Sequence, residues 1–274
     1  MARLPAQAWA CKNQGVGRSG SEVATLPSAA GKVLAVLSAF TKTRPSLTLS
    51  ELSRSTGLAL TTTHRVVGEL AAWGALERDA AGAYRIGLRL WELGQLAPRG
   101  HGLREAALPF MEDLYEVTHE NVQLAVREDT EVLFVERFAG RHAVPVLTQV
   151  GGRFPLSATG VGLVLLAHAP ADVQERVLSN PLRRFTERTV TDPAQLRRIL
   201  AEIRRTGAAV SDRQVTLDAV SVAAPVYGGD GTVVAALSIV VRGDGPSAVR
   251  PMTPSVRAAA RGISRVLGAS VGPH

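Results

Sequence analysis

Hydrophobic positions along the chain change their period several times. Over residues 28–40, Val33, Leu34, Leu37 and Phe40 recur at helical spacing, and Ser28 is a fitting N-cap. Pro45 closes the next connection, and a short helix is predicted from Leu49 or Ser50 to Thr56, ended by the left-handed Gly57. A third helix over 61–73 puts Thr63, Val66, Val67 and Leu70 on one face, with Gly74 as its stop. Thr61, Thr62, His64, Arg65 and Glu69 are left facing outward. Two short extended stretches, 75–78 and 83–86, flank Asp79-Ala80-Ala81-Gly82, a hairpin turn with glycine for the positive φ angle. Three helices and a two-stranded wing predict a winged helix-turn-helix over residues 28–87.

A helix over 88–97, stopped by Pro98, and a hinge at Arg99-Gly100-His101-Gly102 together form a linker over 88–102. Beyond it the pattern predicts a helix over 103–118 containing Pro109, strands over 121–127 and 131–138, and an extended piece over 143–150. Helices over 158–168, 171–179 and 193–206, strands over 221–227 and 232–241, and a last helix over 253–267 complete it. Gly229-Asp230-Gly231 is the clearest hairpin turn. Strands paired as hairpins with helices grouped around them predict an α+β domain with an antiparallel sheet over 103–270. Two domains suit 274 residues, given roughly 150 per domain as a prior.

Residues 1–27 are rich in Gly, Ser, Ala and Gln and read as a flexible tail. Within them Gly15-Val16-Gly17-Arg18-Ser19-Gly20 spells the dinucleotide fingerprint, but no strand precedes it and no helix follows, so it reads as chance. Hydrophobic residues at 46% and charged residues at 20% exclude a wholly disordered chain. No apolar run approaches the roughly 18 residues a membrane span requires, and nothing at the front resembles a signal peptide; a cytoplasmic protein without membrane contact is expected. The one cysteine, Cys11, cannot form an internal disulfide, and the six dispersed His offer no metal spacing, so neither a metal site nor a cofactor is expected.

Charge changes the picture. The net charge is +7, and residues 1–98 hold eleven Lys or Arg against six Asp or Glu, while residues 99–274 hold twenty against eighteen. That asymmetry points to a polyanion partner for the first domain, though a solvated basic face is the competing reading. A winged helix-turn-helix inserts one helix in the DNA major groove, and the first two turns then face base edges and phosphates. Thr61, Thr62, His64 and Arg65 occupy those places. Arg65 suits bidentate bonding to guanine or to phosphate, and Thr61 reads equally as N-cap or phosphate contact. On the wing, Arg78 and Arg85 can reach the flanking backbone, Arg85 pointing outward if Tyr84 and Ile86 pack inward.

These residues carry a resemblance. Leu49-Ser-Glu-Leu-Ser-Arg-Ser-Thr-Gly-Leu58, Thr61-Thr-Thr-His-Arg-Val-Val-Gly-Glu-Leu70, Trp73-Gly-Ala-Leu-Glu77 and Tyr84-Arg-Ile-Gly87 resemble the DNA-binding domain of the IclR family of bacterial transcriptional regulators. The segment Val150-Gly-Gly-Arg-Phe-Pro-Leu-Ser-Ala-Thr-Gly-Val-Gly-Leu-Val-Leu-Leu-Ala167, Val222-Ala-Ala-Pro-Val226 and Asp230-Gly-Thr-Val-Val-Ala-Ala-Leu-Ser238 extend it over residues 28–268. The resemblance implies a GAF-like second domain that binds a small organic effector, commonly a carboxylate or an aromatic acid. It implies pocket positions at Gly160, Val161, Ser211 or Asp212, Ser221 and Ser238. If Ser157 caps the helix, the amides of residues 158–161 form an anion site at its positive end. Gly160 and Gly162 also read as residues that only let helix pack on sheet.

Many relatives carry an acidic residue near Gln214, a glycine at Asp218, a lysine at Leu163 and a serine at Val240. Gln214 and Val240 therefore predict a less polar pocket, favouring an aromatic or bulky carboxylate over a two-carbon acid. The function expected is a ligand-responsive regulator, a homodimer or homotetramer on a double-stranded DNA operator, with Trp91 either at a dimer contact or packed within the chain. An enzyme is the rival class; no G-x-S-x-G, S-x-x-K, P-loop or metal constellation supports it.

Overall fold

The computed structural model describes residues 28–97, 101–141 and 143–269; the expected tail with Cys11 and its glycine motif, Pro98 and the first half of the hinge lie outside them. The chain divides into two compact units at His101/Gly102.

The first unit runs α1 (Ala29–Ser38), β1 (Ser46–Leu47), α2 (Leu49–Thr56), α3 (Leu60–Trp73), β2 (Leu76–Arg78), β3 (Tyr84–Ile86) and α4 (Leu88–Gln95). Local chemistry sets the ends of these elements. The Ser28 hydroxyl accepts from the Gly31 amide, while Thr48 and Glu51 form a reciprocal capping box at α2. The Thr48 amide bonded to Glu51 keeps that carboxyl below its ordinary range. Gly57 and Gly74 end α2 and α3 at φ of 69° and 87°, a region only glycine enters cheaply. Val36, Leu47, Leu52, Val66, Val67, Leu70 and Leu76 make one core. The antiparallel sheet has the order β1-β3-β2, with Glu77 opposite Arg85. Two residues long, β1 is too short for any sequence period to show. The wing turn forms as expected: the Asp79 amide donates to the Ala83 carbonyl, and Gly82 takes φ of 86°.

The second unit begins with α5 (His101–Thr118), which takes in His101 and Gly102, so the hinge expected there is partly helix. Then follow β4 (Asn121–Glu128), β5 (Glu131–Phe138), β6 (Arg153–Pro155), α6 (Gly160–Ala167), α7 (Ala171–Leu178), α8 (Pro193–Thr206), β7 (Ala209–Asp212), β8 (Ala219–Tyr227), β9 (Val233–Arg242) and α9 (Thr253–Val266). Residues 143–150 join no strand and bend at 143 and 147 rather than forming the extended piece expected, and β6 and β7 are too short for a sequence period to show.

All six strands pair antiparallel in the order β6-β5-β4-β9-β8-β7. Strand side chains alternate between faces, so two cores form. Val122, Leu124, Val222, Leu237 and Ile239 meet α5 and α9 on one face. Ala125, Val132, Phe134, Ala223 and Ala236 meet α6, α7 and α8 on the other. Every residue of α6 is buried, which explains why its sequence is apolar all round rather than along a stripe.

Two sites in this unit generate predictions. In α9, a Cβ on Gly262 would stand 2.3 Å from Phe110 Cε1 of α5. Gly262→Val therefore lowers stability by about 1–3 kcal/mol through overpacking, read as a lower urea midpoint at unchanged m-value. At the end of α6, His168 lies edge-on to Tyr227 and its buried Nε2 has no partner among the described residues. Burial first, and Arg204 second, hold its pKa below 6.5. The unfolded chain binds that proton more readily, so this contribution is complete above pH 6.5 and is lost as pH falls from 6.5 through the folded value. His168→Phe accordingly shows a shallower fall in urea midpoint over that interval than the parent chain.

Candidate functional site

In the first unit the candidate contacts cluster on the outward side of α3. Val66, Val67 and Leu70 are buried beneath, whereas Thr61, His64 and Arg65 are exposed and Thr62 is half-buried. The helix starts one residue earlier than its periodicity suggests: Ala59 is the N-cap with no side-chain bond, and Thr61 sits within the first turn. Thr61 is thus not a cap; its hydroxyl is left to other partners. Arg65 Nη1 donates to Glu69 at 2.8 Å, with both side chains about 60% exposed, a pair that adds little stability and exchanges readily. Arg78 lies 5.6 Å from the Tyr84 ring centroid, and its Nε donates to the Gly82 carbonyl. Arg85 grips Glu77 through two nitrogens at 3.0 and 2.8 Å, which lowers that carboxyl's pKa. Arg85 is outward as expected, but Ile86 is 43% exposed rather than packed inward.

Trp91 does not pack within the unit. It is 63% exposed, and Leu88, Leu93 and Leu96 on or beside the same short helix are also exposed. Of this helix's apolar residues, Leu90 packs against the core.

In the second unit a cavity lies between the start of α6 and the sheet. Its empty space, open mouth included, is about 450 Å³. Register explains the floor. One row across the sheet runs Gln123, Ser238, Ala223 and Ala209; the next runs Asn121, Val240, Ser221 and Ser211. Gln123, Ser238, Val240, Ser221 and Ser211 line the space, with Gly160 and Val161 from α6 above them. Val146, Leu147 and Thr148 form one wall, and Val215 and Thr216 contribute from the turn before β8.

The cap of α6 is Thr159, not Ser157: its hydroxyl accepts from the Gly162 amide at 3.0 Å. The amides of Gly160 and Val161 are the ones left without a helical partner, two of the four in the expected set. A Cβ on Gly160 would stand 2.7 Å from Ser221 Oγ, so glycine is what lets the helix start lie against the serine. Gly162 has a separate duty, because a Cβ there would meet the Leu156 carbonyl at 2.5 Å. Ser211 Oγ donates to the Ala158 carbonyl at 3.1 Å, while Ser221 and Ser238 make no side-chain hydrogen bond among the described residues.

Asp212 is not part of this lining. The pleat of β7 turns it to the face opposite Ser211, and its carboxylate is held by Arg213 at 2.8 Å. Gln214 is buried but engaged elsewhere: its side chain accepts from the Val190 amide. Leu163 belongs to the core, and Asp218 pairs with Arg242 at the surface. Gln123, Thr148 and Thr159 line the cavity without having been singled out. The signal for Gln123 was present, since polar Asn121 and Gln123 alternate with apolar residues along a strand that is otherwise core.

Among the described residues no cluster of three His, Cys, Asp or Glu side chains is placed to hold a metal ion, and no helix is long and apolar enough to cross a membrane.

Comparison with known proteins agrees with both halves. Residues 29–80 match the profile described as the IclR helix-turn-helix domain, and residues 96–265 that of the bacterial transcriptional regulator IclR C-terminal domain. The chain is 34% identical over 209 residues to the HTH-type transcriptional regulator KipR of Bacillus subtilis, covering 76% of this chain and 83% of that protein. It is 33% identical over 228 residues to the glycerol operon regulatory protein of Streptomyces coelicolor, covering 81% and 89%. It resembles an IclR homolog from Microbacterium hydrocarbonoxydans crystallised with 4-hydroxybenzoate, at a TM-score of 0.83 and 42% identity over 86% of this chain and 97% of that one. With a winged helix ahead of an α+β unit built around a cavity, and with both family profiles matched in order, the chain belongs to the IclR family of ligand-responsive bacterial transcriptional regulators.

Proposed function

We propose that α3 enters the major groove of an operator, with Thr61, Thr62, His64 and Arg65 at base edges or phosphates and Arg78 and Arg85 on the flanking backbone. The observation that carries this is the division of α3 into a buried face and an exposed, hydrogen-bonding one. Arg65 and Arg85 hold exposed carboxylates that phosphates can replace at small cost. Two such units, brought together by the exposed Leu88, Trp91 and Leu96 around α4, would meet two half-sites of a near-palindromic operator in the cytoplasm.

The cavity takes the effector. Gly160 and Val161 offer backbone amides, and Ser211, Ser221 and Ser238 offer hydroxyls, around a space otherwise walled by Val146, Leu147, Val215 and Val240. That balance suits an aromatic monocarboxylate: a few polar groups for orientation and apolar walls for a ring. The similarity to a protein crystallised with 4-hydroxybenzoate supports the same class. Effector binding alters operator affinity only through unequal affinity for two arrangements of the chain, and DNA then alters effector affinity by the same factor.

Titration of the purified protein against DNA upstream of its own gene, at several salt concentrations, tests the first half. Arg65→Ala is expected to weaken binding and, if it meets a phosphate, to reduce the salt slope by about one, with the melting temperature unchanged. Equal affinity in the variant removes α3 from the interface. For the second half, 4-hydroxybenzoate at one hundred times its Kd should stabilise the protein by about 2.7 kcal/mol. Gly160→Val, which fills the space before Ser221, should abolish that gain while the variant still folds; a retained gain places the acid elsewhere.

A further inference from the structure

The second strand of the sheet changes face midway. Val132 and Phe134 point to the α6 side, so strict alternation would send Glu136 there and Arg137 away. A bulge breaks the register between Leu124 and Ala125 of β4: Ala125 pairs with Phe134, but Leu124 pairs with Glu136 and Gln123 with Arg137. Glu136 is thereby turned to the α5 face, where it binds Arg104. Arg137 is turned to the cavity face, beside Gln123.

There the guanidinium is fixed by neutral groups alone. Nη1 donates to the Thr148 carbonyl at 2.9 Å and Nη2 to Asn121 Oδ1 at 2.8 Å. Nε is buried with no hydrogen-bond partner among the described residues. Among the described residues no carboxylate lies within ion-pair reach of it, and burial is what lowers its pKa, with no acid counteracting. The same polar cluster pins the cavity wall: Asn121 Nδ2 donates to the Val144 carbonyl at 2.9 Å, and Gln123 Nε2 to Thr148 Oγ1 at 2.6 Å. Because Thr148 Oγ1 accepts from Gln123, its own proton is free to be donated, and Thr148 lines the cavity.

We propose that Arg137 is the charge-selecting residue of the cavity: a half-buried guanidinium without a counter-ion, behind Thr148 and Gln123, that makes the site prefer a monoanion to an uncharged molecule of the same shape. It acts as a positioning residue, holding Thr148 so that its hydroxyl meets the carboxylate and supplying the counter-charge one residue behind. A half-buried cation without a counter-ion is unfavourable until an anion comes near, and the Thr148 hydroxyl, polarised by accepting from Gln123, donates more strongly to that anion. The cavity's lining has no charged side chain, so without Arg137 nothing there but helix amides would separate an acid from its amide. This inference rests on the cavity being the effector site.

The test is the ratio of affinities for 4-hydroxybenzoate and 4-hydroxybenzamide, measured by calorimetry on the full chain. The parent protein is expected to favour the acid, Arg137→Lys to keep most of that preference, and Arg137→Met to lose about tenfold of it, equivalent to about 1.4 kcal/mol. Asn121→Asp leaves Arg137 in place but neutralises it, so the ratio falls there too, even if Arg137→Met fails to fold. A merely structural role would weaken both compounds equally, and an unchanged ratio in either folded variant overturns the proposal. A parent protein that binds both equally overturns the charge assignment alone; one that binds neither removes the effector reading along with it.

Discussion

Strands β4, β9 and β8 of the second unit are covered by helices on both faces, and that double burial constrains everything around them. A strand buried twice has no solvent side on which to place polar residues. Each polar side chain on β4, β8 and β9 must find a partner, or must border a space that something else fills. Asn121 meets a carbonyl and Gln123 a hydroxyl, while Ser221 and Ser238 stand beside the cavity with their hydroxyls uncommitted. The cavity is therefore where the sheet's polar residues lead, and the two register rows that form its floor bring together side chains from four strands.

Packing from above completes it. Helix α6 has no polar face, and it approaches the sheet so closely at its start that a Cβ at position 160 would displace the Ser221 hydroxyl. Close approach does two things at once: it seals the core beneath α6 and aims two unbonded backbone amides at the serine-bearing strands. Close packing and a backbone open to the cavity, which read as rival explanations of Gly160, are one constraint seen from two sides.

The first unit follows a simpler rule. A 14-residue helix with one buried face must expose the other, and here the exposed face carries threonines, a histidine and an arginine rather than a lysine- and glutamate-rich solvent surface. Its arginines are not idle, since Arg65 and Arg85 each hold a carboxylate within the unit. Such exposed pairs tether long side chains loosely and can exchange for another anion at small cost. Helix α4 differs in kind: its exposed leucines and tryptophan have no polar use and call for a covering surface.

Periodicity and local capping chemistry determined much by themselves: the three helices and wing, the sheet-forming hairpins, the buried character of α6, and the outward placement of Thr61, His64 and Arg65. Such features depend on residues within a turn or two of one another, which the order of the chain specifies directly. Tertiary structure decided the rest. Thr159 rather than Ser157 caps α6, Asp212 faces away from Ser211, and Gln214 is consumed by the Val190 amide. A single extra residue in β5 sends Arg137 toward the cavity and Glu136 away from it. Which face a strand residue occupies depends on pairing with a partner far along the chain, and one bulge reverses every assignment beyond it, so no local pattern could have carried that information.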